Sequence, residues 1–228
     1  MFQSRVFTLY PEYFPGYLNK GLFGKAMEKN IWKLETVNIR DYAFDKNKTV
    51  DDTPYGGGDG MLIKADVLAN SLDDKIKKNE KTIYLCPKGK MFNHNYAKDF
   101  SKEKTLNIIC GHFEGIDERV IENRNIEEIS IGDFILSGGE GAALIVLDAI
   151  LRFIPGVLGN NNSAFEESFE NDLLEYPQYT KPQIWEEKKV PDVLLSGDHA
   201  KIKDWRLSKS EAITRDRSPD LWQKYKKN

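Results

Sequence analysis

The sequence predicts an α/β domain with a mainly parallel sheet, followed by a small helical C-terminal domain. Three observations lead there. Apolar, β-rich runs alternate with segments of helical spacing over the first 159 residues, the pattern of a layered sheet with parallel strands. Three of those runs, KTIYLCPKG from Lys81, TLNIICGHFEG from Thr105 and SIGDFILSGG from Ser130, each open into a loop containing glycine, so three strand ends gather on one edge of the sheet. From Asn160 the chain turns polar and acidic, which separates a domain over 1–159 from a linker over 160–176 and a helical domain over 177–228.

Taken in order, Arg5 to Tyr10 and Trp32 to Ile39 read as strands, with Tyr17 to Lys29 a helical connection between them. A polar stretch from Arg40 to Pro54 leads into YGGGDGM, residues 55–61, whose four glycines in six positions exclude a regular element and mark a functional loop. Ala65 to Lys77 has helical apolar spacing at Val67, Leu68 and Leu72. Strands recur near 82–86, 105–110 and 126–131, with helical segments between them, one of them over Gly115 to Ile121. Gly141 to Phe153 is an apolar helix that Pro155 terminates. After the acidic linker and the proline- and aromatic-rich YPQYTKPQIW, helices are expected over Gly197 to Ser210 and Ser218 to Lys227.

Composition bounds the function. Lys plus Arg number 33 against 36 Asp plus Glu, so overall charge selects no polyanionic partner. Local charge says more: Pro177 onward carries twelve bases and eight acids, while 160–176 carries five acids and no base. A mildly basic tail suits contact with phosphate, and a solvated helix surface explains the same charges. Cys86 and Cys110 each end an apolar run and read as core residues of a protein in a reducing compartment. The opening MFQSRVFTLYPEYF has neither a basic n-region nor a sustained apolar h-region, and no stretch approaches the ~20 apolar residues of a membrane span, so a cytoplasmic protein with no membrane partner is expected. His94, His112 and His199 fall on separate segments without a Cys or carboxylate at ligand spacing, and no metal site is expected.

Several chemistries drop out. There is no G-x-G-x-x-G after the first strand, no G-x-x-x-x-G-K-[ST] and no G-x-S-x-G, which disfavours a dinucleotide site, a P-loop and a serine elbow. What remains is a parallel sheet that binds its ligand beyond the strand C-termini, where Ser137, Gly138 and Gly139 leave main-chain groups open to it. A tight turn accounts for the same glycine pair.

YGGGDGM, YLCPKG, CGHFEGIDERV, SIGDFILSGGE, RFIPGVLG, EESF, YPQYTKP and VPDVLLSGDHAKIKDWR, in this order and spacing, resemble the bacterial tRNA (guanine-N1)-methyltransferase family over nearly the whole chain. That family is of the SPOUT class. The resemblance implies a deep trefoil-knotted domain that binds S-adenosylmethionine, acts as a homodimer, and methylates N1 of the guanine at tRNA position 37; no other protein partner is inferred. It implies a cofactor pocket made of Tyr84, Leu85, Cys86, Pro87 and Gly89 from the first strand end, Phe113, Glu114 and Gly115 from the second, and Ile131, Gly132, Phe134, Leu136, Gly138 and Gly139 from the third. Glu114 would meet the cationic part of the cofactor, and an acid at the start of the Gly115 helix would also favour the helix dipole.

The same resemblance makes Glu167 the general base and Arg152 the cation at guanine O6. Gly57, Gly58 and Asp59 would lie beside the target guanine, and Lys181, Lys201, Lys203 and Arg206 would contact phosphates of the tRNA anticodon stem-loop. Mg²⁺ is suggested by the family, although no ligand cluster is visible in the sequence. The chain departs from the family at Glu167, where aspartate is usual, and at Asp59 and Ala142, where prolines are common. Two further readings stay open at this point: a SPOUT-class enzyme acting on another RNA position, and a non-catalytic tRNA-binding module.

Overall fold

The structure is a computed structural model and describes residues 1–158 and 168–227. The chain divides into two compact units, Met1–Asn161 and Asn162–Asn228. In the first unit the elements run β1 (Phe2–Thr8), α1 (Gly21–Glu28), β2 (Trp32–Asn38), β3 (Asp51–Asp52), β4 (Leu62–Ile63), α2 (Ala65–Lys75), β5 (Lys81–Met91), α3 (His94–Phe100), β6 (Thr105–Cys110), α4 (Glu118–Arg124), β7 (Glu127–Ser130) and α5 (Gly139–Leu151). Strands β2-β1-β6-β5-β7 form one sheet in that order. All four of its pairings are parallel. β3 and β4 make a separate antiparallel pair.

A parallel sheet must be covered on both faces, and the strands are apolar on both. Val6, Ile83, Leu85, Leu106, Ile108 and Cys110 point into one core with Trp32 and with Ala142, Ala143, Val146, Leu147, Ile150 and Leu151 of α5. Their alternates Phe7, Tyr84, Cys86 and Ile109 point into the other, with Val67, Leu68 and Leu72 of α2 and Val120 and Ile121 of α4. Burying each large aliphatic side chain stabilises the fold by ~1.5–3 kcal/mol, and that is why α5 is apolar nearly all round.

Several boundaries differ from the sequence expectation. The Gly115 to Ile121 helix begins only at Glu118, because Ile116 bridges to Ile63 and the Asp117 carboxylate accepts the Arg119 N–H. Glu114 therefore stands four residues before the helix, outside reach of its dipole. β5 runs on to Met91 because Leu85 and Lys90 both register with Ile129, so residues 86–89 leave the ladder and return to it. Gly89 closes that excursion: a Cβ there would lie 2.3 Å from the Ile129 nitrogen.

On the sheet's N-terminal half, Arg5 is buried and holds three partners. Its Nε donates to Glu35 at 3.0 Å and its Nη1 to Glu80 at 2.9 Å and Asn107 at 2.7 Å. Burial pushes the Glu80 carboxyl up, but the Lys77 N–H, Arg5 and Asn107 together carry it below its ordinary value. A carboxyl lowered in the folded state adds stability above its unfolded value and loses it as pH falls, so this network weakens under acid. Arg5→Ala leaves the carboxylates without their cation and is expected to cost ~3–5 kcal/mol of unfolding free energy in a urea titration at pH 7. A loss under 1 kcal/mol would make the network incidental.

The second unit carries an antiparallel pair, β8 (Ile184–Trp185) and β9 (Lys188–Lys189), then α6 (Asp192–Leu195), α7 (His199–Arg217) and α8 (Pro219–Tyr225). α7 starts where the Asp198 carboxylate accepts the Lys201 N–H. It runs past the expected end at Ser210 because Thr214 is buried, donates to the Ser210 carbonyl at 2.6 Å and accepts the Leu174 N–H at 2.8 Å. Pro219 opens α8, where a missing N–H costs nothing.

Candidate functional site

The middle of β5, where residues 86–89 leave the ladder, and the C-terminal ends of β6 and β7 open into one cleft. Its first wall is Tyr84, Leu85, Cys86 and Pro87; its second is Gly111 to Gly115; its third runs from Ile129 to Gly139, and Ala142 closes the floor. All the residues that the sequence assigns to the cofactor pocket line it except Gly89, which faces the β7 backbone instead.

The backbone is shaped for this. Phe113 sits at φ +58°, a left-handed conformation that an aromatic residue adopts only under constraint, and Gly115 follows at φ +119°. The Tyr84 ring lies beneath both glycines of that wall, since a Cβ at Gly111 would approach its hydroxyl to 2.8 Å and one at Gly115 to 3.0 Å. Burial, with Cys86 nearby, pushes the Tyr84 phenol up to about 12. On the third wall, residues 131–138 belong to neither strand nor helix. Phe134 and Leu136 are about half exposed there, at 51% and 45%, and Ile135 reaches 78%, giving the cleft an apolar lip that a flat ligand would cover.

Cys86 lines the first wall as a thiol rather than a nucleophile. Burial and its 3.2 Å hydrogen bond to Glu128 push it up to about 12. Cys110 is fully buried, and burial with Glu140 close by holds its thiol well above the ordinary value too. Because the thiolate is the reactive form, iodoacetamide at pH 8 is expected to label neither cysteine in the folded protein and both in urea, as read by intact mass. Rapid labelling of Cys86 in the native state would overturn this.

The sequence passed over His112 and Glu140. Nε2 of His112 lies 2.7 Å from Oε2 of Glu140, and Oε1 of Glu140 accepts the Thr8 hydroxyl at 2.5 Å. In the sequence His112 stands out only as a possible metal ligand, and Glu140 is the acid after the glycine pair in SGGE; the motifs contain both, but only the fold brings them together.

The glycine-rich loop reaches the second wall. Glu114 N–H donates to the Met61 carbonyl at 2.9 Å, and a Cβ at Gly60 would strike the Glu114 side chain at 2.5 Å. Gly57, at φ +78°, Gly58, at φ +121°, and Asp59 are exposed in that loop. Arg152 follows α5 directly and is half-buried. Glu167 lies outside the described residues. In the second unit, Lys181 lines a hollow with Tyr179, Trp185 and Lys188. Lys201 pairs with Asp198 at 3.1 Å, Lys203 is exposed, and the Arg206 guanidinium stands 4.8 Å over the Tyr176 ring. Among the described residues no group of three His, Cys, Asp or Glu could hold a metal ion, and no helix is long and apolar enough to cross a membrane.

A parallel sheet covered on both faces, with a glycine-shaped cleft beside its β6, β5 and β7 strands, defines an α/β domain of the kind that binds ligands near its strand ends. The model of the family "tRNA (Guanine-1)-methyltransferase TrmD" matches residues 2–224, and the chain belongs to that family. Similar proteins include the tRNA (guanine-N(1)-)-methyltransferase of Pelagibacter ubique (strain HTCC1062), 68% identical over 228 residues and the full length of both chains. Those of Bartonella tribocorum (strain CIP 105476 / IBS 506) and Brucella canis (strain ATCC 23365 / NCTC 10854 / RM-666) are 55% and 52% identical over 227 residues, covering all of this chain and 97% and 93% of theirs.

Proposed function

We propose that this protein transfers a methyl group from S-adenosylmethionine to N1 of the guanine at tRNA position 37. The observation that carries the reading is the full-length match to tRNA (guanine-N1)-methyltransferases at 68% identity, which leaves no part of the chain unaccounted for. The cleft fits the cofactor: loop backbone on the third wall can pair with an adenine edge, and the exposed Phe134 and Leu136 offer apolar cover for the ring. S-adenosylmethionine supplies an electrophilic methyl group. The chain's residues must supply the rest.

Guanine N1 carries a proton near neutral pH, and removing it drives negative charge onto O6. Glu167 is the group we assign to take the N1 proton, and Arg152 the cation that stabilises charge at O6. The loop bearing Gly57, Gly58 and Asp59 would receive the base, and the mildly basic tail from Pro177, through Lys181, Lys201, Lys203 and Arg206, the anticodon stem-loop. Two of those cations would first exchange the contacts they make with Asp198 and Tyr176. No step is assigned to Mg²⁺.

We also propose the deep trefoil knot, the homodimer and the cytoplasmic location. The chain leaves β7 at the sheet edge and returns to pack α5 on β6 and β1, so close that a Cβ at Gly139 would lie 2.7 Å from the Cys110 Cα. Such a passage supports a knotted path. Ile145 on α5 is 51% exposed beside Tyr17, whose hydroxyl donates to the Leu144 carbonyl, and this apolar surface supports a second copy as its cover. Sedimentation velocity should give twice the mass of one chain.

The reaction is tested with labelled S-adenosylmethionine and paired tRNA transcripts carrying guanosine or adenosine at position 37. Label on the first alone is expected. Label on both, or mapping elsewhere by nuclease digestion and mass spectrometry, would move the enzyme to another RNA position.

A further inference from the structure

Behind the cleft, one buried carboxylate joins three parts of the fold. Glu140 is 5% exposed in the first turn of α5. Its Oε1 accepts the Thr8 hydroxyl at the end of β1, and Thr8 Oγ1 in turn accepts the Tyr10 N–H at 2.9 Å. Its Oε2 lies 2.7 Å from Nε2 of His112 on the second wall, where the ring N–H donates to it. The His112 ring is held on its other side by Tyr10, with centroids 4.8 Å apart. It also lies so close to the third wall that a Cβ at Gly138 would sit 2.2 Å from its Cε1. The Gly139 N–H donates to the Gly111 carbonyl at 2.9 Å beside it.

A carboxylate is a costly way to fill this space if stability alone were served, because an apolar side chain of similar size would avoid its desolvation. A directional, charge-assisted pair does what an apolar contact cannot: it fixes distance and orientation. Here it fixes the second wall against the third.

We infer that Glu140 is a positioning residue, and that the chain Thr8–Glu140–His112 sets cofactor affinity by holding these two walls at their bound spacing. The inference takes the identity of the ligand from the methyltransferase reading. It requires that Thr8, which does not line the cleft, still governs binding within it.

The test is calorimetric titration of S-adenosylmethionine into the full chain, at a temperature where melting curves place every variant fully folded. Thr8→Val keeps the shape of the side chain and removes both its donor to Glu140 and the acceptor of the Tyr10 N–H, leaving one oxygen of Glu140 buried without that partner. We expect the Kd to rise about tenfold, as for loss of a hydrogen bond to a charged group. Thr8→Ser restores the donor and is expected to return the Kd to within about twofold of the parent. His112→Phe, which keeps a ring but loses the N–H, should weaken binding by a similar factor, and His112→Gln, whose amide nitrogen reaches the same place, should recover most of it. The KM for the cofactor should rise by a larger factor than kcat falls.

A purely structural role would lower the melting temperature and leave the Kd of the folded protein unchanged. Parent and Thr8→Val binding within twofold, or Thr8→Ser as weak as Thr8→Val, would overturn the inference while leaving the methyltransferase reading intact. A folded parent that binds no S-adenosylmethionine would overturn both. Should Thr8→Val fail to fold, the His112 pair decides by the same criterion.

Discussion

Glu167→Gln is expected to slow methyl transfer ~100- to 10,000-fold in single-turnover reactions with saturating tRNA, the usual contribution of a positioned general base. The amide keeps nearly the size and reach of the carboxylate but cannot take the N1 proton, so the loss should fall on kcat and leave the cofactor Kd as it was. Glu166→Gln, one residue away in the same acidic segment, is the matched comparison and should cost far less. Glu167→Asp introduces the family's usual acid. It should retain substantial activity if the segment can move in by the length of one methylene. Full activity in Glu167→Gln would place the base elsewhere. A parent that binds tRNA and cofactor yet never turns over would favour the non-catalytic module.

Much of the fold was readable because its signals are local. A parallel sheet buried on both faces must be apolar at successive positions, and IYLC and LNIIC announce β5 and β6 for that reason. α5 was equally plain, since thirteen residues without a base or a proline can only be a buried helix. The boundaries that moved are those set by contacts between distant segments: the bridge from Ile63 to Ile116 that delays α4, and the return of β5 to Ile129 after residues 86–89. Periodicity does not encode either. β3 and β4 could not be read from pattern at all, because two-residue strands carry no alternation.

The candidate site divides along the same line. Loops that begin where apolar runs stop are visible in sequence, and the glycines in them point to close backbone approach. The Phe113 conformation and the Thr8–Glu140–His112 chain are not visible, since they join residues 28 and 132 positions apart. Gly89 marks the limit of reading a motif as a site. The close approach of the Ile129 backbone is by itself enough to require glycine there.

Gly139→Ala should reduce kcat/KM for S-adenosylmethionine about 100-fold, the scale expected when a binding wall is displaced by ~1 Å. The added Cβ would lie 2.7 Å from Cys110 Cα and 3.0 Å from Gly111 N, both backbone atoms at the end of a central strand. Neither can swing aside as a side chain would. The N-terminus of α5 must therefore retreat, carrying the third wall away from the second and straining the Gly139 to Gly111 hydrogen bond. Gly141→Ala is the control, two residues further along the same helix. Its Cβ would meet nothing nearer than Leu136 Cδ1 at 3.8 Å, so it should stabilise the helix by ~0.5–1 kcal/mol through reduced freedom of the unfolded chain. Both variants carry the same chemical change, and only one presses on a strand. If Gly139→Ala and Gly141→Ala bind cofactor alike, the contact between α5 and β6 does not shape the cleft; if they part as expected, the tight passage of α5 past the end of β6 is what holds the binding walls in place.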